Sequence, residues 1–138
     1  MDAKEFQVRT TIAALWVSAM MCYIYADLLG YLAPGHLQGI LEGQLGTWKV
    51  TPTLLIGSAV AMSIPSVMIF LTLVMTPRLN RWLNAIAGGL YALIAVGTTA
   101  GAWPARLYYY MYFGVIEFVL TLLIVWYAVK RQPTGVRS

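Results

Sequence analysis

Reactive side chains are scarce in this chain: its 138 residues include one cysteine, one histidine and a charged fraction of only 10%. The lone Cys22 excludes an intramolecular disulfide and any multi-cysteine metal site. The lone His36 excludes a bis-histidine haem site within one chain, and as a metal ligand it would need partners such as Glu42. There is no Gly-rich phosphate loop, no GxSxG and no HExxH. The seven methionines form no MxxM run beside Cys or His, so they read as packing and lipid contact and not as a copper path. Nothing here names a cofactor, a metal site or a catalytic residue. No internal repeat is visible either, which weakens an inverted-repeat transporter plan.

What the chain does have is apolar length. Hydrophobic residues make up 60% of it, and the mean hydropathy is +0.73. About 20 helical residues cross a hydrocarbon core of roughly 30 Å. Four apolar runs meet that length, at 10–32, 53–75, 82–102 and 107–129. The expected fold is therefore all-α: a polytopic transmembrane four-helix bundle filling one domain, 1–138. The first run has no clear small-residue cleavage site and reads as a retained signal anchor.

The joins differ in character. The 34–52 loop is the longest, and Leu37, Ile40, Leu41 and Leu45 recur in it at helical spacing, as in a short element lying on a membrane surface. Gly39, Gly43 and Gly46 weaken that helix. Pro65 should kink the second span, with Ser63 and Ser66 as candidates to satisfy the freed carbonyl. A short turn over Thr76–Arg81 makes spans two and three an antiparallel pair. Span three carries Ala85, Gly88, Gly89 and Ala92, small residues four apart that let another helix come close. That helix could belong to the same bundle or to a second copy in a homo-oligomer. A polar tail, Lys130–Ser138, follows span four.

The basic residues give the rhythm a direction. Lys4, Arg9, Arg78, Arg81, Lys130, Arg131 and Arg137 fall on one side of the spans, and Lys49 and Arg106 on the other. The positive-inside rule then puts both termini in the cytoplasm of a cell whose inner (plasma) membrane holds the protein, and it argues against dual topology. Basic residues scattered over short gaps fit anionic lipid as partner and not nucleic acid. Trp48, Trp103 and Tyr108 to Tyr110 sit near the expected outer interface, with Tyr108 and Tyr109 read as anchors. Trp82, Trp126 and Tyr127 sit near the inner one.

Two acids interrupt the apolar spans. Asp27 lies roughly 7 to 8 Å below the outer end of span one, and Glu117 roughly 15 Å into span four, at 1.5 Å per residue. An ionised acid at a helix centre costs roughly 2.5 to 3.5 kcal/mol to insert, so both should face the bundle interior. Tyr23, Asp27 and Tyr31 share one face of span one, and Tyr110, Gly114, Glu117 and Thr121 one face of span four. These faces could line a pocket for a lipophilic or amphipathic molecule or a membrane partner. Alternatively, Glu117 could serve as the protonatable site of a small transporter or channel subunit. An intramembrane enzyme using the two acids ranks below both, because nothing nucleophilic or redox-active accompanies them. A plain structural hydrogen bond from each acid is the competing explanation.

The stretch Ile64, Pro65, Ser66, Val67, Met68, Ile69, Phe70, Leu71, followed by Asn80, Arg81, Trp82, Leu83 and Asn84, resembles a group of small bacterial four-span membrane proteins of unknown function. Asp27 near the end of span one fits the same group. The resemblance covers most of the length and implies bacterial origin and a four-helix plan, with no catalytic residues attached. In size and span count the chain is also loosely similar to DoxX-type membrane proteins, without a shared motif.

Overall fold

A computed structural model of the chain describes residues 3–45, 48–104 and 106–131. The element order is α1 (Ala3–Leu32), α2 (His36–Leu41), a minimal antiparallel hairpin of β1 (Gln44–Leu45) and β2 (Trp48–Lys49), α3 (Pro52–Val74), α4 (Pro77–Ala102) and α5 (Tyr108–Trp126). A π-helical turn, Tyr127–Arg131, extends α5. The polar tail beyond 131 lies outside the described residues, as do Gly46 and Ala105. α1, α3, α4 and α5 with its extension are each long and apolar enough to cross a membrane. The fold is an all-α bundle of these helices.

Local chemistry sets the helix ends. α3 starts at Pro52 because Thr51 caps it, its Oγ1 accepting from the Leu54 amide at 3.1 Å. α4 starts at Pro77, five residues before the expected span three, so most of the expected turn over Thr76–Arg81 is helical. Proline is favoured in a first helical turn, where its missing N–H would have had no partner, and Arg78 and Arg81 therefore sit on helix. α1 likewise begins at Ala3, ahead of the expected span, and Arg9 pairs one turn back with Glu5 at 2.6 Å. Within the 34–52 loop, the expected helix is only α2, His36–Leu41, and Leu45 falls instead in the hairpin that follows the turn at Gly43. None of α2 is buried, and Leu37, Leu41, Leu45 and Trp48 are all exposed.

Around the bundle α3 packs on α1, α1 on α5 and α5 on α4, while α3 and α4 approach each other closely over little of their length. Large side chains bridge that wider side. Trp16, Tyr91, Met68, Ile12 and Ile124 form the core there, with Trp16 and Tyr91 edge to face at 5.8 Å. α3 is the least buried of the four.

The close pair is α4 and α5, and two glycines make it possible. A Cβ on Gly88 would stand 2.9 Å from a Val125 methyl and 3.2 Å from both an Ile124 methyl and the Thr121 carbonyl. On the facing helix, a Cβ on Gly114 would overlap the Thr99 hydroxyl. One part of the small-residue face of span three is therefore occupied by α5 of the same chain. Gly89, by contrast, has nothing within 4 Å.

Pro65 lies inside the continuous α3, and its compensation comes from an unexpected place. Pro65 is buried, and the carbonyl four residues before it, Ala61, accepts from the Tyr91 hydroxyl of α4. The two serines expected to serve do not reach it. Ser63 donates to Ala59 at 2.7 Å and Ser66 to Met62 at 2.9 Å, each one turn back on its own helix, the short-range bond that serine makes most readily.

Candidate functional site

Each half of the bundle has its own polar cluster. Toward the end that carries the chain termini, the Trp16 indole donates to Asn84 Oδ1 at 2.7 Å and Thr72 Oγ1 donates to the same oxygen at 3.1 Å. Asn84 in turn donates to Asn80 Oδ1 at 2.6 Å and to the Asn80 carbonyl at 2.9 Å. All three polar side chains are fully buried. Below them Arg9, also buried, donates to the carbonyls of Met75 at 2.5 Å and Leu73 at 3.3 Å. Those acceptors lie at the C-terminus of α3, where carbonyls lack helical donors and the helix dipole favours a cation. This cluster ties α1, α3 and α4 together and is fully engaged except for Asn80 Nδ2 and Arg9 Nε.

The second cluster lies toward the α2 end, on the seam between α1 and α5. Tyr23 and Asp27 come from α1, and Tyr110 and Glu117 from the α5 that packs on it. Glu117 is 4% exposed, and among the described residues its carboxylate makes no hydrogen bond. The Tyr23 hydroxyl is buried and unpartnered, and its ring packs at 6.2 Å from Tyr91. Asp27 is exposed on the bundle flank. Tyr109 also meets Gly30, where an added Cβ would stand 3.6 Å from its hydroxyl. Glu117 on α5 is buried, and the Tyr23 hydroxyl on the facing α1 is buried without a partner. Leaving a buried hydroxyl unpaired costs about 1 to 3 kcal/mol.

Of the six residues read as site candidates, Tyr23 and Asp27 stand on α1 and Tyr110 and Glu117 on α5, two helices that pack on each other. Tyr31 is 50% exposed at the end of α1. Thr121 is buried but spends its hydroxyl on its own helix, donating to the Glu117 carbonyl at 2.8 Å and to Phe118 at 3.0 Å. Its role is to present a carbonyl to Gly88 in the close α4–α5 contact. Tyr109, read as an interface anchor, turns partly inward, while Tyr108 stays exposed. The Trp16, Asn80 and Asn84 network went unread. Two asparagines four apart inside an apolar helix were the signal, since buried amides need partners on neighbouring helices.

Two cavities open at the α2 end. One, of about 520 Å³, lies between the end of α1 and the start of α5 and is lined by Leu32, Pro34, Arg106, Leu107 and Tyr109 among others. Arg106 stands at its rim in the left-handed region, φ 52°, in a turn closed by the Leu107 amide donating to Ala102 at 3.2 Å. The other, of about 670 Å³, is an apolar crevice between α4 and α5 floored by Thr99 and Gly114. Neither is lined by Asp27 or Glu117. Among the described residues no group of three His, Cys, Asp or Glu is placed to hold a metal ion.

Known proteins add a family and no activity. No curated protein and no solved structure matches the chain. One family profile, described as a family of unknown function (DUF6326), matches residues 3–137. The chain, a helical bundle with four helices apolar and long enough to cross a membrane, thus belongs to the DUF6326 family, whose function is unknown.

Proposed function

We propose that the protein is a multi-pass inner-membrane protein of bacterial type, with cytoplasmic termini, that binds an amphipathic molecule along the α1–α5 seam. The observation that carries this reading is the buried Glu117 of α5 together with the buried, unpartnered hydroxyl of Tyr23 on the α1 that packs against it. A polar group of the ligand would satisfy both, and its apolar part would lie against lipid-facing helix surface. The cavity at Tyr109 supports access from the α2 end, since the Tyr109 hydroxyl also lies at Gly30, one turn from Asp27. Gently extracted protein should carry a small molecule in native mass spectra, and Glu117→Gln should lose it. A clean apo spectrum from wild type counts against binding.

Proton-coupled transport is the second reading, favoured by the series of groups along the same seam. Asp27 on α1 and Tyr109, Tyr110 and Glu117 on α5 are spread from the α2 end towards mid-bundle on two helices that pack together. Proton flux into proteoliposomes that disappears in Glu117→Gln would support it. Absence of any Glu117-dependent flux removes it.

A further inference from the structure

The cavity of about 520 Å³ between the end of α1 and the start of α5 has one charged residue in its lining, Arg106. Its other walls are mostly apolar, formed by Leu29, Leu32, Pro34 and Leu107. Arg106 belongs to the turn that joins α4 to α5, so it stands at the ends of two helices of membrane-spanning length. Trp103 and Tyr108, on either side of it, are 69% and 67% exposed, the arrangement of aromatic side chains at a bilayer interface. The cavity therefore opens at the level of lipid headgroups.

The backbone of Arg106 is spent within the turn: its amide donates to the Trp103 carbonyl at 3.0 Å and its carbonyl accepts from the Tyr108 amide at 2.9 Å. Its guanidinium, by contrast, has no hydrogen bond and no ion pair among the described residues. The turn alone does not ask for arginine. Arg106 is the one non-glycine residue at positive φ among the described residues, and glycine adopts that conformation without steric cost.

An uncompensated cation above apolar walls is complementary to an amphiphile with an anionic head. The planar fork of arginine presents paired N–H groups to phosphate oxygens. Below it, Leu29 and Leu32 lead from the cavity onto the exposed flank of α1, where an acyl chain can lie. Free phosphate would use the guanidinium and leave those walls in water. A zwitterionic lipid would bring a second cation close to Arg106.

We propose that this cavity holds an anionic phospholipid of the adjoining leaflet, its phosphate on the Arg106 guanidinium and its glycerol and upper acyl chain against Leu29, Leu32 and Leu107. The assignment does not rest on the reading of Glu117, since neither acid lines the cavity. A lipid there exchanges with the leaflet, so the route past Tyr109 stays open to a ligand.

The full chain, delipidated in mild detergent and titrated with phosphatidylglycerol or phosphatidylethanolamine of equal chain length, tests it by native mass spectrometry. Phosphatidylglycerol should bind about fivefold more tightly, the size of one basic residue's attraction to anionic lipid. Arg106→Gln should remove that preference. Arg106→Gly should remove it too, while melting no lower than wild type because the turn is relaxed. Lys49→Gln, which removes a cation of the exposed hairpin at the same end, should keep the preference. No preference in wild type, its survival in both Arg106 variants, or its equal loss in Lys49→Gln overturns the assignment. Inorganic phosphate at millimolar concentration should not displace the lipid; displacement would make the site one for a free anion and overturn the lipid.

Discussion

The Tyr91 hydroxyl on α4 donates to the Ala61 carbonyl on α3, the acceptor that Pro65 deprives of its amide donor. One side chain thereby closes the weakest point of α3 and joins α3 to α4 on the side where their backbones stand apart. Tyr91→Phe should lower stability by about 1 kcal/mol, the usual size of one such hydrogen bond. In a Pro65→Ala background the restored amide takes over, and the same change should cost less by at least about 0.5 kcal/mol. Reversible unfolding of the four proteins of this cycle measures the coupling. Strict additivity would mean that the bond does not compensate the proline.

The α4–α5 contact depends on the absence of a side chain at two positions. Gly88→Ala should destabilise by about 1 to 3 kcal/mol, because the methyl group meets Val125, Ile124 and a backbone carbonyl that have little room to move. Gly89→Ala, one residue along the helix and facing open space, should leave stability unchanged or raise it by up to about 1 kcal/mol through helix propensity. Thermal denaturation in one detergent compares them, and equal losses would contradict the packing described.

Asn84 is the hub of the buried network at the end that carries the chain termini. Its replacement by alanine strands the Trp16 indole and Thr72 hydroxyl donors as well as the Asn80 acceptor, and should cost about 2 kcal/mol or more. Trp16→Phe in the Asn84→Ala background should add less than it does alone. Denaturant titration gives both values, and a loss under about 0.5 kcal/mol would mean that the network contributes nothing beyond packing.

How far the sequence reached follows from the range of each signal. Apolar length is local and additive along the chain, so the four long helices could be read directly. α4 starts ahead of the expected span because the polar stretch 76–81 reads as a turn, although Pro77 opens a first helical turn that tolerates proline. The acids were found because charge inside an apolar run is rare. That they stand on neighbouring helices required knowing that α1 packs on α5, which depends on pairing between helices and leaves no periodic mark. The same limit hid Tyr91 as the partner of Ala61, 30 residues away, while Ser63 and Ser66 looked suitable only because they are near in sequence.

Orientation in the membrane is open to labelling. Single cysteines replacing Trp48 and Arg78, in a Cys22→Ala background, should react with an impermeant thiol reagent from opposite faces, with position 78 cytoplasmic. Trp48 is on the exposed hairpin, and Arg78 is exposed in the first turn of α4. Labelling from the same face would contradict a four-span arrangement.

The central claim is that Glu117 and Tyr23 wait for a group the protein does not supply. A crystal structure grown from a lipidic mesophase, using protein kept with its native lipid extract, tests this most directly. The account predicts non-protein density within hydrogen-bonding distance of both the Glu117 carboxylate and the Tyr23 hydroxyl, absent from the Glu117→Gln crystal. A direct hydrogen bond between Tyr23 and Glu117, with no further density on the α1–α5 seam, would contradict it and leave the acid a structural one.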